Sequence, residues 1–158
     1  MEFSVRKIVH HEVFDCRQAS QARGIKLKQE LKTLVLGIGE RKIALHSRGC
    51  DRVNFRAVKN VFHIKNISFM SSEELLAYNL SKGLINPWNV EFCQYHLVCL
   101  KLFYNRFTGT NNSTATVGNL FLTNHIFQLP HLILGNFTHG NPNLPKSYRF
   151  DRGHDQDI

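Results

Sequence analysis

Two stretches hold residues whose types and spacing could do chemistry. In "LKTLVLG" Lys32 stands at the entrance to an apolar run. A lysine at the start of a strand can point into a cleft, and as a compact cation it suits phosphate. In "SKGLINPW" Gly83 and Pro87 stand four apart, after a short helical pattern and before an aromatic. Glycine there lets a ligand approach the backbone closely, and proline stiffens the exit of the loop. Each feature has a plainer reading: a solvated strand end for Lys32, and a helix stop followed by a turn for Gly83 to Pro87. On residue types and spacing alone the plainer reading is preferred at both places.

Other catalytic patterns are missing. There is no GxSxG elbow, P-loop, HExxH or GxGxxG, and "GIGE" lacks the third glycine and sits in a hairpin turn. The nine histidines are scattered, with no Cys/His pair at ligand spacing, so neither a metal nor a cofactor is expected. Cys16, Cys50, Cys93 and Cys99 form no CxxC pair, which makes them idle thiols rather than a zinc knuckle or a disulfide framework. Lys plus Arg number 20 against 12 Asp plus Glu, a formal charge of +8 and a pI near 9.6, so a polyanion is a reasonable partner. No apolar run approaches the ~20 residues that span a bilayer. "MEFSVRKIVHHEVFD" lacks the apolar core of a signal peptide, so a cytoplasmic protein without a membrane partner is expected.

Positioning such residues requires a folded scaffold, and 158 residues suffice for one domain with a sizeable core. "DCRQASQARG" predicts a helix from about Asp15 to Arg23, with Asp15 as N-cap and Gly24 as the stop. "KTLVLGIG" and "RKIALHS" predict a β-hairpin around a turn containing Gly37, Gly39 and Glu40. Phe55, Val58 and Phe62 have helical spacing, and Ser71-x-x-Glu74 predicts a capping box opening a helix that ends near Leu80. "EFCQYHLVCLKLFY", "GNLFLTNHIF" and "LPHLILGNF" read as further strands. "NRFTGTNNSTATVG", polar and rich in Thr, Asn and Gly, reads as a long turn or flexible hairpin tip. Strands without regular crossover helices give an α+β class: one domain over residues 1–150, a mixed or antiparallel curved sheet flanked by helices, and a frayed tail at 151–158.

Read as one unit, "IVHHEVFDCRQASQARGIKLKQELKTLVLGIGERKIAL" resembles the opening of the YbaK/prolyl-tRNA synthetase-associated editing domain family, the aminoacyl-tRNA deacylases. The positions that carry the likeness are His11, Val13, Phe14, Ala19, Ala22, Gly24, Lys32, Thr33, Leu34 and Val35. "CDRVNFRAVKN" resembles the family's Asp-Arg strand end leading into a helix, and "SSEELLAYNLSKGLINPW" its Ser-x-Glu-Glu helix and Gly-x-x-x-Pro loop. The likeness is good over residues 8 to 90 and holds only in outline beyond. Phe14 stands where several relatives have Tyr, and Asn124 where many have Asp.

The resemblance implies hydrolysis of the ester joining a mischarged amino acid to the terminal ribose of a tRNA, a small amino acid on tRNA for proline being the default. Lys32, Gly83, Leu84, Ile85, Asn86 and Pro87 would form the reacting centre. The loop amides would hold the substrate carbonyl, Lys32 would meet the terminal phosphate or the adenosine end, and Phe14, Thr33, Asn136 and His139 would contact substrate. Arg17, Arg23, Lys26 and Lys28 would meet acceptor-stem phosphates, with an aminoacyl-tRNA synthetase as a further partner. An ester is already activated, so placing a water and stabilising the oxyanion can suffice without a nucleophilic side chain. Two alternatives stay open: a relative that binds tRNA without cleaving it, and a regulatory domain that never meets RNA.

Overall fold

The computed structural model describes residues 5–112 and 114–144. The expected frayed tail at 151–158 lies outside the described residues. In chain order the elements are β1 (Val5–Val9), α1 (Cys16–Arg23), β2 (Leu31–Ile38), β3 (Arg41–Arg48), β4 (Asp51–Val53), α2 (Phe55–Phe62), β5 (Ser68–Phe69) and α3 (Ser72–Leu76). β6 (Tyr95–Cys99), β7 (Phe107–Asn111), β8 (Val117–Leu122), β9 (Leu132–Gly135) and β10 (Thr138–Gly140) complete the fold.

Local chemistry sets the first elements as expected. The Asp15 carboxylate accepts from the Gln18 amide at 2.8 Å, and Gly24, at φ 71°, closes α1 in the left-handed conformation that glycine adopts without steric cost. β2 and β3 pair antiparallel from Leu31 opposite Arg48 to Ile38 opposite Arg41, so Gly39 and Glu40 alone form the turn and Gly37 lies inside the strand. The Ser71/Glu74 capping box is formed in both directions, at 3.1 Å each way. α3 stops at Leu76, short of the expected Leu80, because Asn79 turns left-handed at φ 60° and the Leu80 amide returns to the Leu75 carbonyl.

The hairpin is the middle of a five-stranded sheet of order β5-β2-β3-β6-β9, in which β3, β6 and β9 run parallel and the remaining pairs antiparallel. β1, β8 and β7 form an antiparallel three-stranded sheet, and β10 pairs with β4. The class is α+β, as expected. Both faces of the large sheet are covered. Leu36, Ile43, Leu45 and Leu97 pack with Val58 of α2, while Val35 and Ala44 pack with Met70, Leu75 and Ile85. A third cluster joins Leu31 and Val98 to Phe121 of β8 and to Ile126.

Only residues 112–116 of the expected flexible tip connect β7 to β8; the part before them is strand β7, which touches the large sheet through a bridge from Gly109 to Glu30. Its composition misleads because its residues serve tertiary neighbours. Thr108 and Thr110 are fully buried, and the Thr108 hydroxyl bonds that of Thr123 at 2.6 Å. Gly109 leaves space that a Cβ would take from Ile25 and from the Glu30 carboxyl, 2.6 and 2.8 Å away. In β8, a Cβ on Gly118 would lie 2.0 Å from Nε of Arg23.

The two glycines therefore make room for a buried ion pair between Arg23 and Glu30. Gly118→Ala is expected to lower stability by about 1–3 kcal/mol through overpacking, read as a shift of the urea midpoint. Gly39→Ala, with open space around its Cβ at φ 59°, should cost only the backbone strain of about 1–2 kcal/mol.

Candidate active site

A cavity of about 230 Å³ opens beside the first half of β2, lined among others by Phe14, Cys16, Glu30, Lys32, Thr33 and Ile85. β5 pairs with β2 only at Leu36 and Gly37, so no strand among the described residues covers this edge where Lys32, Thr33 and Leu34 lie. A more apolar cavity of about 260 Å³, bounded by Phe69, Met70 and Leu75, shares Thr33, Leu34, Gly83 and Ile85 with the first.

Alternation along β2 sends neighbouring side chains in opposite directions. The Lys32 ammonium donates to the backbone carbonyl of Asp51 at the start of β4. Asp51 is fixed by Arg48, whose Nε and Nη2 reach its two carboxylate oxygens at 2.8 and 3.0 Å, a buried forked pair. Thr33 turns the other way and bonds Nδ1 of His46 on β3 at 2.9 Å, and His46 Nε2 meets Nδ1 of His96 on β6 at 2.9 Å.

The loop is held by its own side chains. Asn86 accepts from the amides of Trp88 and Asn89 at 2.8 and 3.1 Å, and Asn89 accepts from the Asn86 amide at 2.9 Å and donates to the Leu84 carbonyl at 3.2 Å. The Leu84 amide is taken by the Ser81 carbonyl at 3.0 Å. Among the described residues no acceptor takes the amides of Gly83 and Ile85, and both residues line the cavity. Gly83 sits at φ 82°, and its carbonyl accepts from Asn111 of β7. The Asn111 oxygen in turn accepts from Arg23 Nη2.

Charge in the cavity is unusual in one respect. Burial, outweighing the neighbouring Arg23, pushes the Glu30 carboxyl up to about 7. Its Oε1 pairs with Arg23, while Oε2 has no partner among the described residues. The thiols are held protonated: burial raises Cys16 and Cys93 to about 12, and Cys50 and Cys99 to about 11. Since the thiolate is the nucleophile, none is poised to attack.

The sequence model of the aminoacyl-tRNA editing domain matches residues 10–100. The chain belongs to that family. Solved structures share the fold of this editing domain at low identity. A proposed trans-editing enzyme for prolyl tRNA synthetase is 13% identical at a TM-score of 0.75, over 86% of this chain and 87% of that one. A hypothetical protein is likewise 13% identical at 0.77, over 86% and 92%. A scaffold for computational epitope backbone grafting is 12% identical at 0.76, over 87% and 88%. Among the curated proteins none matches this sequence.

The editing-domain cavity gathers Lys32, Thr33, Gly83, Ile85 and Phe14, the last at its mouth and 75% exposed. It does not gather all the expected residues. Leu84 and Asn86 shape the loop from behind, their amides already bonded. Pro87 lines a different cavity, with Trp88 and His96. Asn136 and His139 are exposed and line none of these cavities, although β10 sets His139 opposite Arg52, next to the Asp51 that holds Lys32. Arg23, expected at the surface, is a buried structural ion, whereas Arg17 and Lys26 are exposed and Lys28 half-buried. Asn124 lies exposed in a 3-10 turn, Thr123–Gln128, outside the cavity. Sequence reasoning missed Glu30 and His46. The hairpin turn held the signal for His46, because Ile38 opposite Arg41 forces Thr33 opposite His46.

Burial holds both central histidines below the ordinary range, aided by repulsion from His96 at His46 and from His131 at His96. A folded-state value below 6.5 means that the unfolded chain takes up protons first, so stability falls as pH drops below 6.5. Glu30 acts oppositely, gaining stability as pH falls from 7 toward 4.5. Each group contributes at most about 1.4 kcal/mol per pH unit. Two histidines against one carboxyl give a net loss as pH falls below 6.5. Urea midpoints across this range should show it, and His46→Leu should flatten the slope.

Proposed function

We propose that this editing domain is a trans-acting aminoacyl-tRNA deacylase, with a small amino acid esterified to tRNA for proline as its substrate. The observation that carries the reading is the pairing of two unused amides, on Gly83 and Ile85, with a cation, Lys32, around one cavity at the open edge of β2. Backbone donors fixed in place suit an oxyanion, because they need no reorganisation as charge develops. The loop's internal Asn86–Asn89 bonds supply that rigidity. Ester hydrolysis by water fits a cavity lined by a cysteine, Cys16, that stays protonated.

The fit to tRNA draws on charge. Lys28 is held below the ordinary lysine range by burial and by the adjacent cations Lys26 and Arg48, so an anion brought there relieves repulsion. Lys26 and Lys28 lie on the segment leading into β2, upstream of Lys32. Phosphates of an acceptor stem would meet these cations before the ester reaches the cavity, and a synthetase that charges the same tRNA is the natural further partner. A cytoplasmic setting follows from that partner; no helix among the described residues is long and apolar enough to cross a membrane.

Release of labelled amino acid from Ala-, Cys- and Ser-charged tRNA for proline tests the activity. The wild type should hydrolyse one of them, and Lys32→Ala should lower kcat/KM by about 10–100-fold, the range expected when one charge-assisted contact of about 1.5–3 kcal/mol is lost. Binding without hydrolysis across the panel would instead favour a tRNA-binding relative that has lost the chemistry. In filter binding, Lys26→Ala and Lys28→Ala should each weaken tRNA affinity and reduce the salt slope by about 1.

A further inference from the structure

Thr33, His46 and His96 lie in a row on one face of the large sheet, Thr33 directly opposite His46 and His96 diagonal to it on β6, and each is almost wholly buried, at 5%, 0% and 2% exposure. Apolar clusters flank the row, Val35 and Ala44 on one side and Leu31 and Val98 on the other. Two imidazoles in such a place are costly as filling, since apolar side chains would need no hydrogen-bond partners. Here the partners are supplied in series. Thr33 bonds His46 Nδ1 and His46 Nε2 bonds His96 Nδ1, both at 2.9 Å, with the ring planes within 8° of parallel.

The ends of the row are the decisive feature. Thr33 lines the candidate active cavity, while His96 lines a separate cavity of about 330 Å³ with Pro87, Trp88, Glu91 and Gln128. The chain of bonds therefore crosses the protein interior from one opening to another. We propose that Thr33, His46 and His96 form a proton relay that carries the proton of the attacking water from the active cavity to the second cavity; the proposal rests on the deacylase reading above.

The step balances. Hydrolysis at neutral pH converts an ester and water to a carboxylate, a ribose hydroxyl and one proton. The water oxygen bonds the ester carbonyl carbon and passes a proton to Oγ1 of Thr33. In the same movement Thr33 gives its own proton to His46 Nδ1, His46 passes the one on Nε2 to His96 Nδ1, and His96 releases the one on its Nε2 to solvent in the second cavity. The acyl–oxygen bond then breaks, and the ribose oxygen leaves with the second proton of the water. Both imidazoles end neutral with their tautomers reversed; after product leaves, the opposite transfer takes one proton from solvent at His96 and gives one to water in the emptied active cavity, so the net proton of hydrolysis reaches solvent there once the ester is gone. Thr33 touches the reacting water; His46 and His96 are positioning residues acting through it. Groups that bear on the row are Glu30, Lys32 and Cys16 around the active cavity, Arg48 further along β3, Glu91 in the second cavity and His131 before β9.

The test uses the full chain and the mischarged tRNA cleaved by the wild type. His46→Gln and His96→Gln keep hydrogen-bonding capacity but cannot exchange tautomers. Each should lower kcat by about 10–100-fold, toward the lower end of what general acid–base catalysis contributes, with KM within about twofold of wild type. The acid limb of the pH–kcat profile and the solvent deuterium isotope effect should disappear with it. Thr33→Val should match this loss and Thr33→Ser should restore most of the rate. Unchanged kcat in folded variants, or a loss that Thr33→Ser does not recover, would overturn the relay. Nitrogen-15 spectra of the histidines provide an arm that needs no turnover. Joint tautomer exchange of His46 and His96, altered by Thr33→Val, supports the relay; a single fixed tautomer at both overturns it. A wild type that cleaves no member of the panel would sink the deacylase reading, and the spectra would then decide the relay separately.

Discussion

Arg23 and Glu30 are both withdrawn from water, and an unmatched charge so placed costs several kcal/mol, so the structure around them is arranged to match. Arg23 ends α1 and Glu30 immediately precedes β2, which ties the helix to the sheet. The second arm of the guanidinium reaches Asn111 on β7, and Asn111 reaches the carbonyl of Gly83. One ion pair thus sets the distance between β2 and the loop that faces it across the cavity. A side chain on Gly118 would intrude on the pair, and one on Gly109 would intrude on Glu30 and on Ile25. The same burial that makes the pair a clamp drives the Glu30 carboxyl up to about 7, which leaves a titratable group in the cavity at neutral pH.

Elements governed by chemistry within a few residues were legible in the sequence. The caps of α1 and α3 depend on contacts three residues apart, and the two-residue turn fixes the register of the whole hairpin. β7 was not legible, because Gly109, Thr108 and Asn111 answer to Glu30, Thr123 and Arg23, all of them distant in sequence. A strand chosen to leave room looks like a loop when its neighbours are unknown. Arg23 was misassigned for the same reason: a cation at the end of a helix resembles a solvated one until its carboxylate partner is placed.

At the site, the sequence pointed to the right loop for a reason that needed refinement. Asn86 and Pro87 stand inside the motif but do not face the cavity; Asn86 and Asn89 exchange bonds so that the backbone between Gly83 and Ile85 is held open. Gly83 and Ile85 present the opening, and Leu84, Asn86 and Asn89 hold its shape. Asn124 lies outside the cavity, so that departure from the family pattern alters no group that lines it, whereas Phe14, the other departure, stands at its mouth.

The alternation of β2 explains why Lys32 and Thr33 can serve one cavity while being held from opposite faces of the sheet. Lys32 is anchored through Asp51 to the forked pair with Arg48, and Thr33 through His46 to the interior. Because the strand pairs with no strand along this edge among the described residues, both residues border the same opening despite pointing apart. A slip of one residue in the hairpin would turn each side chain to the other face, setting, according to its direction, an ammonium in the place of Thr33 beside the buried imidazoles or a hydroxyl in the place of Lys32 beneath the Asp51 carbonyl. Burial of a lysine beside His46 would disfavour its charge, and a hydroxyl is too short to replace the ammonium at Asp51. The two-residue turn at Gly39 and Glu40 therefore positions the chemistry as well as the sheet, although it lies at the far end of β2 from both residues.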